Sequence, residues 1–283
     1  MEPGRVSRSA MGSALLRAAH VREDEPPWIL EDTLSASLLN ARDVAELEQS
    51  MAAWTPRVRG AWRTAHAVRA RLAEDTALEG LAAGRRDYVL LGAGLDTFAW
   101  RHPRAGEFRV REVDHPDTQS WKRRALRRRR MPEPENLRFV PVDLATTPVP
   151  RPDTDAGTSS NSSPATWNWL GVTVYLTRAA TEATLLSVAS HRPGTTLVTD
   201  FVLPPAHLDG LAAAVSASAA SALADAHEPV LSCYTAAEAE AMLRASGFAT
   251  VALLDADELS GRYLRSRPGL RLPGSTVIAV ATV

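Results

Sequence analysis

The chain is poor in cysteine, in aromatic residues and in net charge. Of its 283 residues only Cys233 is a cysteine, which excludes an intramolecular disulfide and a multi-cysteine metal cluster. Such a composition suits a reducing compartment, and a cytoplasmic protein is expected. A formal net charge of -1 leaves no bulk attraction to nucleic acid or to an anionic membrane surface. No stretch approaches the roughly eighteen apolar residues of a membrane span, and the N-terminal "MEPGRVSRSAMGSALLRAAH" carries arginines but no apolar h-region. What remains is an ordinary globular composition, 45% hydrophobic and 23% charged, at a length that suits one large α/β domain with an extension or two small domains. The expected partner is a small-molecule substrate, with no nucleic acid and no membrane. Nothing in the sequence specifies an oligomeric state.

From Ser13 to about Gly84 the pattern is helical, broken at "EDEPPW", and its last part predicts one long helix capped by Gly84. Beyond Gly84, short apolar runs alternate with helical stretches, as in βαβ units with a parallel sheet. The candidate strands are 88–93, 108–114, 137–143, 166–172 and 195–202. The segment "TTPVPRPDTDAGTSSNSSPA" (146–165) reads as a mobile loop in place of a packed crossover. An Ala/Ser-rich helix over 206–229 suggests a buried or lid position. "YTAAEAEAMLRASGF" predicts a helix with a Thr235–Glu238 capping box, closing at Gly247. The runs 249–255 and 275–283 then predict an antiparallel pair at the end of the sheet.

The chemistry concentrates in "DYVLLGAGLDTFAW" (87–100), a strand running into two glycines. Gly92 and Gly94 permit a positive φ or a close ligand approach, and Asp114 ends the next strand about 20 residues on, where a carboxylate accepts ribose hydroxyls. A dinucleotide fingerprint needs a third glycine at 97; here Thr97 stands there, beside Asp96, an acid that would repel a pyrophosphate. S-adenosylmethionine has the ribose without the phosphate, and an ammonium that an acid or backbone carbonyls can hold, so the loop favours it over NAD. Asp143, ending the third strand, could accept from an adenine amino group or merely cap a turn.

Four motifs, "LLGAGLDTFAWR", "REVDHPD", "VPVDL" and "WLGVTVYLT", occur in this order, with "VRARLAED" upstream. Together they resemble the leucine carboxyl methyltransferase-like family of class I S-adenosylmethionine-dependent methyltransferases, especially its bacterial small-molecule branch. The resemblance implies a Rossmann-like class I methyltransferase sheet of parallel strands plus a C-terminal antiparallel strand. A helical cap over 1–84 would precede an S-adenosylmethionine-binding domain over 85–283, with a lid insertion at about 206–229. It implies that Arg69, with Arg71 as the near alternative, pairs with the cofactor carboxylate. Gly92, Ala93, Gly94 and Asp96 would line the cofactor, Asp114 with His115 beside it would take the ribose, and Asp143 and Leu144 would flank the adenine. Many relatives carry a cofactor-facing Glu after the fourth strand where this chain has Leu170, a departure that argues against leucine-carboxyl chemistry.

Methyl transfer from a sulfonium requires an acceptor in line at about 3 Å and exclusion of water; it needs no metal, and only a hydroxyl acceptor needs a base. Tyr175 is the candidate catalytic residue by family position, with Asn168 and Trp169 behind it, and Trp28, Trp54 and Trp62 are candidate lid aromatics. The basic run "WKRRALRRRRM" (121–131) lies on a predicted helix and reads as a solvated face. The expected function is therefore O-methylation of a small-molecule carboxylate or hydroxyl. Two alternatives stand beside it: a non-catalytic S-adenosylmethionine-binding regulator or partner subunit, and an NAD-dependent oxidoreductase.

Overall fold

A computed structural model describes residues 6–147, 149 and 163–283. Most of the predicted loop 146–165 lies outside the described residues. Helices α1 (Arg8–Glu23), α2 (Ala41–Ser50) and α3 (Pro56–Ala82) come first. Local chemistry fixes their ends. In α3 the Thr55 hydroxyl accepts from Val58 N, Pro56 opens the first turn where its missing N–H costs nothing, and Gly84 closes the helix at φ +85°.

Seven strands follow: β1 (Asp87–Leu91), β2 (Arg109–Asp114), β3 (Leu137–Pro141), β4 (Ala165–Trp169), β5 (Thr196–Val202), β6 (Thr250–Leu254) and β7 (Thr276–Thr282). Between them lie α4 (Phe98–Arg101), α5 (Pro116–Arg128), α6 (Arg178–Ala189), α7 (Gly210–Asp225), α8 (Ala236–Ala245) and α9 (Ala256–Tyr263). The sheet order is β3-β2-β1-β4-β5-β7-β6. The first five strands are parallel, and β7 runs antiparallel between β5 and β6. The expected α/β sheet and its antiparallel C-terminal pair are therefore present. The fourth strand is shorter than the predicted 166–172, because Gly171 at φ +71° turns the chain just past its end.

The two-residue side-chain period of the strands sorts the core onto two faces. Val89, Leu91, Trp167, Trp169, Leu197 and Phe201 pack with α6 and α8 on one face. Tyr88, Leu90 and Val198 pack on the other, toward α3. On β4 the same alternation sends Asn168 toward α3. Trp169 goes the opposite way; it is fully buried in the core and does not sit behind the site, as its sequence position had suggested.

The basic run needs a second correction. Arg123, Arg124, Arg127 and Arg128 are exposed on α5, but Lys122, the one lysine of the chain, is fully buried against Glu112 of β2 at 2.5 Å. Its ammonium also lies 5.1 Å from the Trp100 ring centroid. A one-in-four spacing on a helix takes a single charge inward while its neighbours stay wet, and a charge-run reading averages that away. Among the described residues no helix is long and apolar enough to cross a membrane.

Candidate active site

The parallel strands end together along one edge of the sheet, the place where open α/β sheets receive ligands. Beyond β1 the chain turns through Gly92 at φ +60° and Gly94 at φ +52°. The turn is stitched to β2: Gly92 N donates to Val113 O at 2.8 Å, and Gly94 N donates to Asp114 Oδ2 at 2.5 Å. Asp114 Oδ1 accepts from His115 N at 2.6 Å. Each carboxylate oxygen thus has one backbone N–H and keeps lone-pair capacity toward the cavity. Burial raises the Asp114 pKa above its ordinary value, with the Gly94 and His115 N–H groups opposing.

The glycines are required by contact as well as by φ. A Cβ on Gly92 would fall 2.3 Å from Val172 Cγ2, and one on Gly94 would fall 3.1 Å from the Ala10 Cβ of α1. Gly92→Ala is accordingly expected to lose about 1–3 kcal/mol of stability, read by urea denaturation, because strain and overpacking act at one residue.

Only the single turn α4 follows the loop, so no long helix N-terminus stands ready for a pyrophosphate. Asp96 caps that turn by accepting from Phe98 N at 2.7 Å. Thr97, where a dinucleotide fold has its third glycine, donates to Asp32 Oδ1 at 2.8 Å. Asp32 accepts from Arg17 Nε at 2.9 Å, and Arg17 Nη2 donates to Leu95 O at 2.8 Å, which binds α1 onto the loop. Burial pushes the Asp32 carboxyl up, but Arg17, Arg101 and Thr97 outweigh it, and its pKa lies below the ordinary value. Arg101 also grips Glu74 through both carboxylate oxygens.

The glycine turn, Asp96, Asp114 and Arg17 face a cavity of about 790 Å³, within the usual range of small-molecule sites. Arg69, Gly92, Ala93, Gly94, Asp96, Asp114, His115, Asp143, Leu144, Leu170 and Tyr175 all line it. Within that wall several already have structural partners. His115 Nδ1 accepts from Asp117 N at 3.2 Å and caps α5. Asp143 accepts from Ala145 N at 3.0 Å and from the Thr146 hydroxyl at 3.2 Å. Arg71 turns away to Asp75 and Ile29 O. Trp54 and Trp62 line the cavity with ring centroids 6.1 Å apart; Trp28 does not, and its Nε1 donates to Asp24 O.

Sequence reasoning missed three contributors. Asp200, inside β5, accepts from Arg69 Nη1 at 3.1 Å and from Gly171 N at 2.7 Å. Its signal was an acid interrupting the buried run "TLVTDFV". Glu228 accepts from the Arg8 and Ser9 N–H groups at 2.8 and 3.1 Å, meeting the free donors at the start of α1 and joining it to the segment after α7. The α7 helix itself is shorter than 206–229. Only Val215 is buried, and the inner side, Ser216, Ala219 and Leu223 among it, lines the cavity. Small side chains leave the room that makes this space.

His66 is the third, 4% exposed on the cavity wall beside Trp62 and Arg69. Its Nδ1 lies 2.9 Å from the Trp62 carbonyl, which only a protonated ring nitrogen can contact favourably, so the lone pair belongs to Nε2. Burial, with the Arg69 and Arg17 charges, holds its pKa well below the usual imidazole range despite the Trp62 bond. Tyr175 behaves oppositely: burial pushes it up to about 12 against a hydrogen bond with Ser9, so at neutral pH it is a donor and not a base. Asn168, expected behind Tyr175, lines the cavity and holds Tyr88, whose hydroxyl accepts from Nδ2 at 3.2 Å.

A family model described as leucine carboxyl methyltransferase matches residues 10–189, well over half of the chain. YktD of Bacillus subtilis (strain 168), named as an S-adenosyl-L-methionine-dependent methyltransferase, is 28% identical over 296 residues, covering 94% of each chain. A protein of Mycolicibacterium gilvum (strain PYR-GCK) with a corresponding name is 33% identical over 162 residues, covering 57% of this chain and 61% of its own. Among solved structures, a DUF574 family protein from Streptomyces avermitilis MA-4680 superposes with a TM-score of 0.60 at 17% identity, covering 97% of this chain and 96% of that one.

Proposed function

The chain belongs to the leucine carboxyl methyltransferase family and is an S-adenosylmethionine-dependent methyltransferase, and on that premise we propose that it methylates an oxygen of a small, largely apolar molecule. The cavity suits the cofactor on its own evidence. Asp114 offers spare lone pairs at the strand end, beside a glycine turn whose residues 92–94 line the same cavity. In this reading Asp114 holds the ribose, Arg69 the carboxylate, and Leu144 and Asp143 the adenine, with Gly92, Ala93, Gly94, Asp96, His115 and Leu170 forming the wall. When bound, the cofactor supplies an electrophilic methyl group on sulfur.

One observation carries the choice of acceptor: the cofactor cradle and a chamber walled by Trp54, Trp62 and the small residues of α7 are a single cavity. Such a wall favours an aromatic or aliphatic body with one polar tip. The α1–α3 cap and α7 exclude water, and Tyr175 donates a hydrogen bond to the acceptor oxygen. His66 favours a hydroxyl over a carboxylate, because a neutral ring with a bare nitrogen can receive the proton that a hydroxyl must lose.

Incubation with methyl-labelled S-adenosylmethionine and a panel of phenols, alcohols and aromatic acids should yield an O-methyl product by mass spectrometry. Product on nitrogen alone, or none with any oxygen acceptor, would refute the reading. His66→Gln should lower turnover of an un-ionised phenol about 100-fold. The loss should be much smaller with 4-nitrophenol, which ionises without help, while S-adenosylhomocysteine affinity stays unchanged.

A further inference from the structure

Helix α1 lies over the glycine turn, where its Ala10 Cβ comes within 3.1 Å of the place a Gly94 Cβ would occupy, so it covers the cofactor cradle. Its own sequence leaves the first turn short of an acceptor. Ser7 accepts from Ala10 N at 3.1 Å, but no acid stands in that turn, and the Arg8 and Ser9 N–H groups have no partner within the helix. Glu228 supplies one from far along the chain: Oε1 accepts from Arg8 N at 2.8 Å, and Oε2 from Ser9 N at 3.1 Å and from the Ser7 hydroxyl at 3.3 Å. The helix dipole favours a carboxylate there as well.

The ending of α7 sets Glu228 in place. His227 takes a φ of +57°, and the Glu228 N–H reaches back to Leu223 O at 2.9 Å, the long bond of a Schellman ending. Beyond it the chain is fixed at Leu231, whose N–H donates to Val174 O at 2.8 Å, and at Ser232, whose hydroxyl donates to Leu176 O at 2.6 Å. Those bonds bracket Tyr175. On the other side the one buried residue of α7 is Val215, packed with Val58 and Ala61 of α3. Among the described residues, every hydrogen bond from 216–230 to the rest of the protein passes through Glu228. The segment is a strap fixed at both ends and at this one point between them. It is also where the cavity meets solvent: Val230 and Leu231, 39% and 56% exposed, line it together with Glu228 and the three residues that Glu228 holds.

We propose that Glu228 is a latch between strap and cap, and that its bonds to the start of α1 open whenever the cofactor or its product is exchanged. Its oxygens are engaged by protein donors and not by a ligand, so the latch weighs equally on the empty and the filled cavity. An interaction without a differential between two ligation states cannot shift affinity. Weakening it should therefore speed entry and release together. The inference rests on cofactor binding and not on the acceptor.

Release of radiolabelled S-adenosylhomocysteine, chased with unlabelled ligand, gives the off-rate, and calorimetry gives the affinity. Glu228→Gln, which exchanges the charged acceptor for an amide, should raise the off-rate at least fivefold with the dissociation constant within twofold. Glu46→Gln, which removes the exposed Arg8–Glu46 pair at the same helix start, should leave both unchanged. A smaller rise in Glu228→Gln would overturn the latch, and so would an equal rise in Glu46→Gln. An affinity weakened more than twofold would also overturn it, since Glu228 would then be holding the ligand or the site itself. If Glu228→Gln does not fold, hydrogen exchange of the unmodified protein decides: the Arg8 and Ser9 amides should open together with 216–230 and ahead of the sheet, and independent opening of the two segments would refute the proposal. No acceptor enters either measurement, so the outcome is separate from the fate of the O-methylation reading.

Discussion

Lys122→Ala is expected to destabilise the protein by about 3–5 kcal/mol, because it leaves the fully buried Glu112 carboxylate without its cation. The second Glu112 oxygen, Oε1, already has no hydrogen-bond partner among the described residues, so no other group stands ready to take over. Burial pushes the Glu112 pKa up to about 7 even with Lys122 opposing. The folded-state value lies above the unfolded one, so the folded chain binds the proton more tightly, and this carboxyl costs stability as pH rises from about 4.5 through 7. Removing the cation strengthens that trend. The deficit of Lys122→Ala should therefore be larger at pH 8 than at pH 5 in urea or thermal denaturation. A pH-independent deficit would show that lost packing of the lysine stem, and not the stranded charge, dominates. The double variant Lys122→Met with Glu112→Leu should recover most of the loss, since apolar side chains of similar volume avoid desolvation altogether.

Asp114→Ala should weaken S-adenosylmethionine by on the order of 100-fold, about 3 kcal/mol, as measured by calorimetry. Hydrogen bonds to a charged acceptor contribute roughly 1.5–3 kcal/mol each, and in our reading this carboxylate receives those of the ribose. It also orders the loop through Gly94 N and His115 N, so part of the effect is lost preorganisation. Asp114→Asn, which keeps one acceptor oxygen, should fall between. The raised pKa adds a signature. Affinity should be flat near neutral pH and decline in acid as the carboxyl takes a proton at a pH above its ordinary value. Stability responds with the opposite sign: the folded-state pKa is above the unfolded one, so protonation favours the fold while it disables the site. An affinity that follows stability through the acid range would contradict this assignment.

How much of the site was legible depended on sequence distance. Gly92, Gly94 and Asp114 were readable because a strand end, a positive-φ turn and the next strand end recur at a near-constant spacing in βα units. Thr97 was readable as an argument against a pyrophosphate, and its bond to Asp32 gives the residue a structural role instead. Asp143 looked the same as Asp114 in sequence, yet its oxygens close their own turn. Trp169 was misjudged because a one-residue step along a strand reverses the face, and no local signal says which face is the site.

By itself the sequence determined the alternation that makes an α/β sheet, the glycine turn, the strand-end acids and the family. All of these follow from backbone preferences and periodicities that act over a few residues. Tertiary structure alone decided that Arg69 meets Asp200 across 131 positions, that Glu228 reaches Arg8 across 220, and that the one lysine is buried. It also decided that His66 is buried beside the cavity with its Nδ1 on the Trp62 carbonyl. Such pairings depend on sheet order, register and the crossing of helices over the strand ends, which no short stretch of chain encodes.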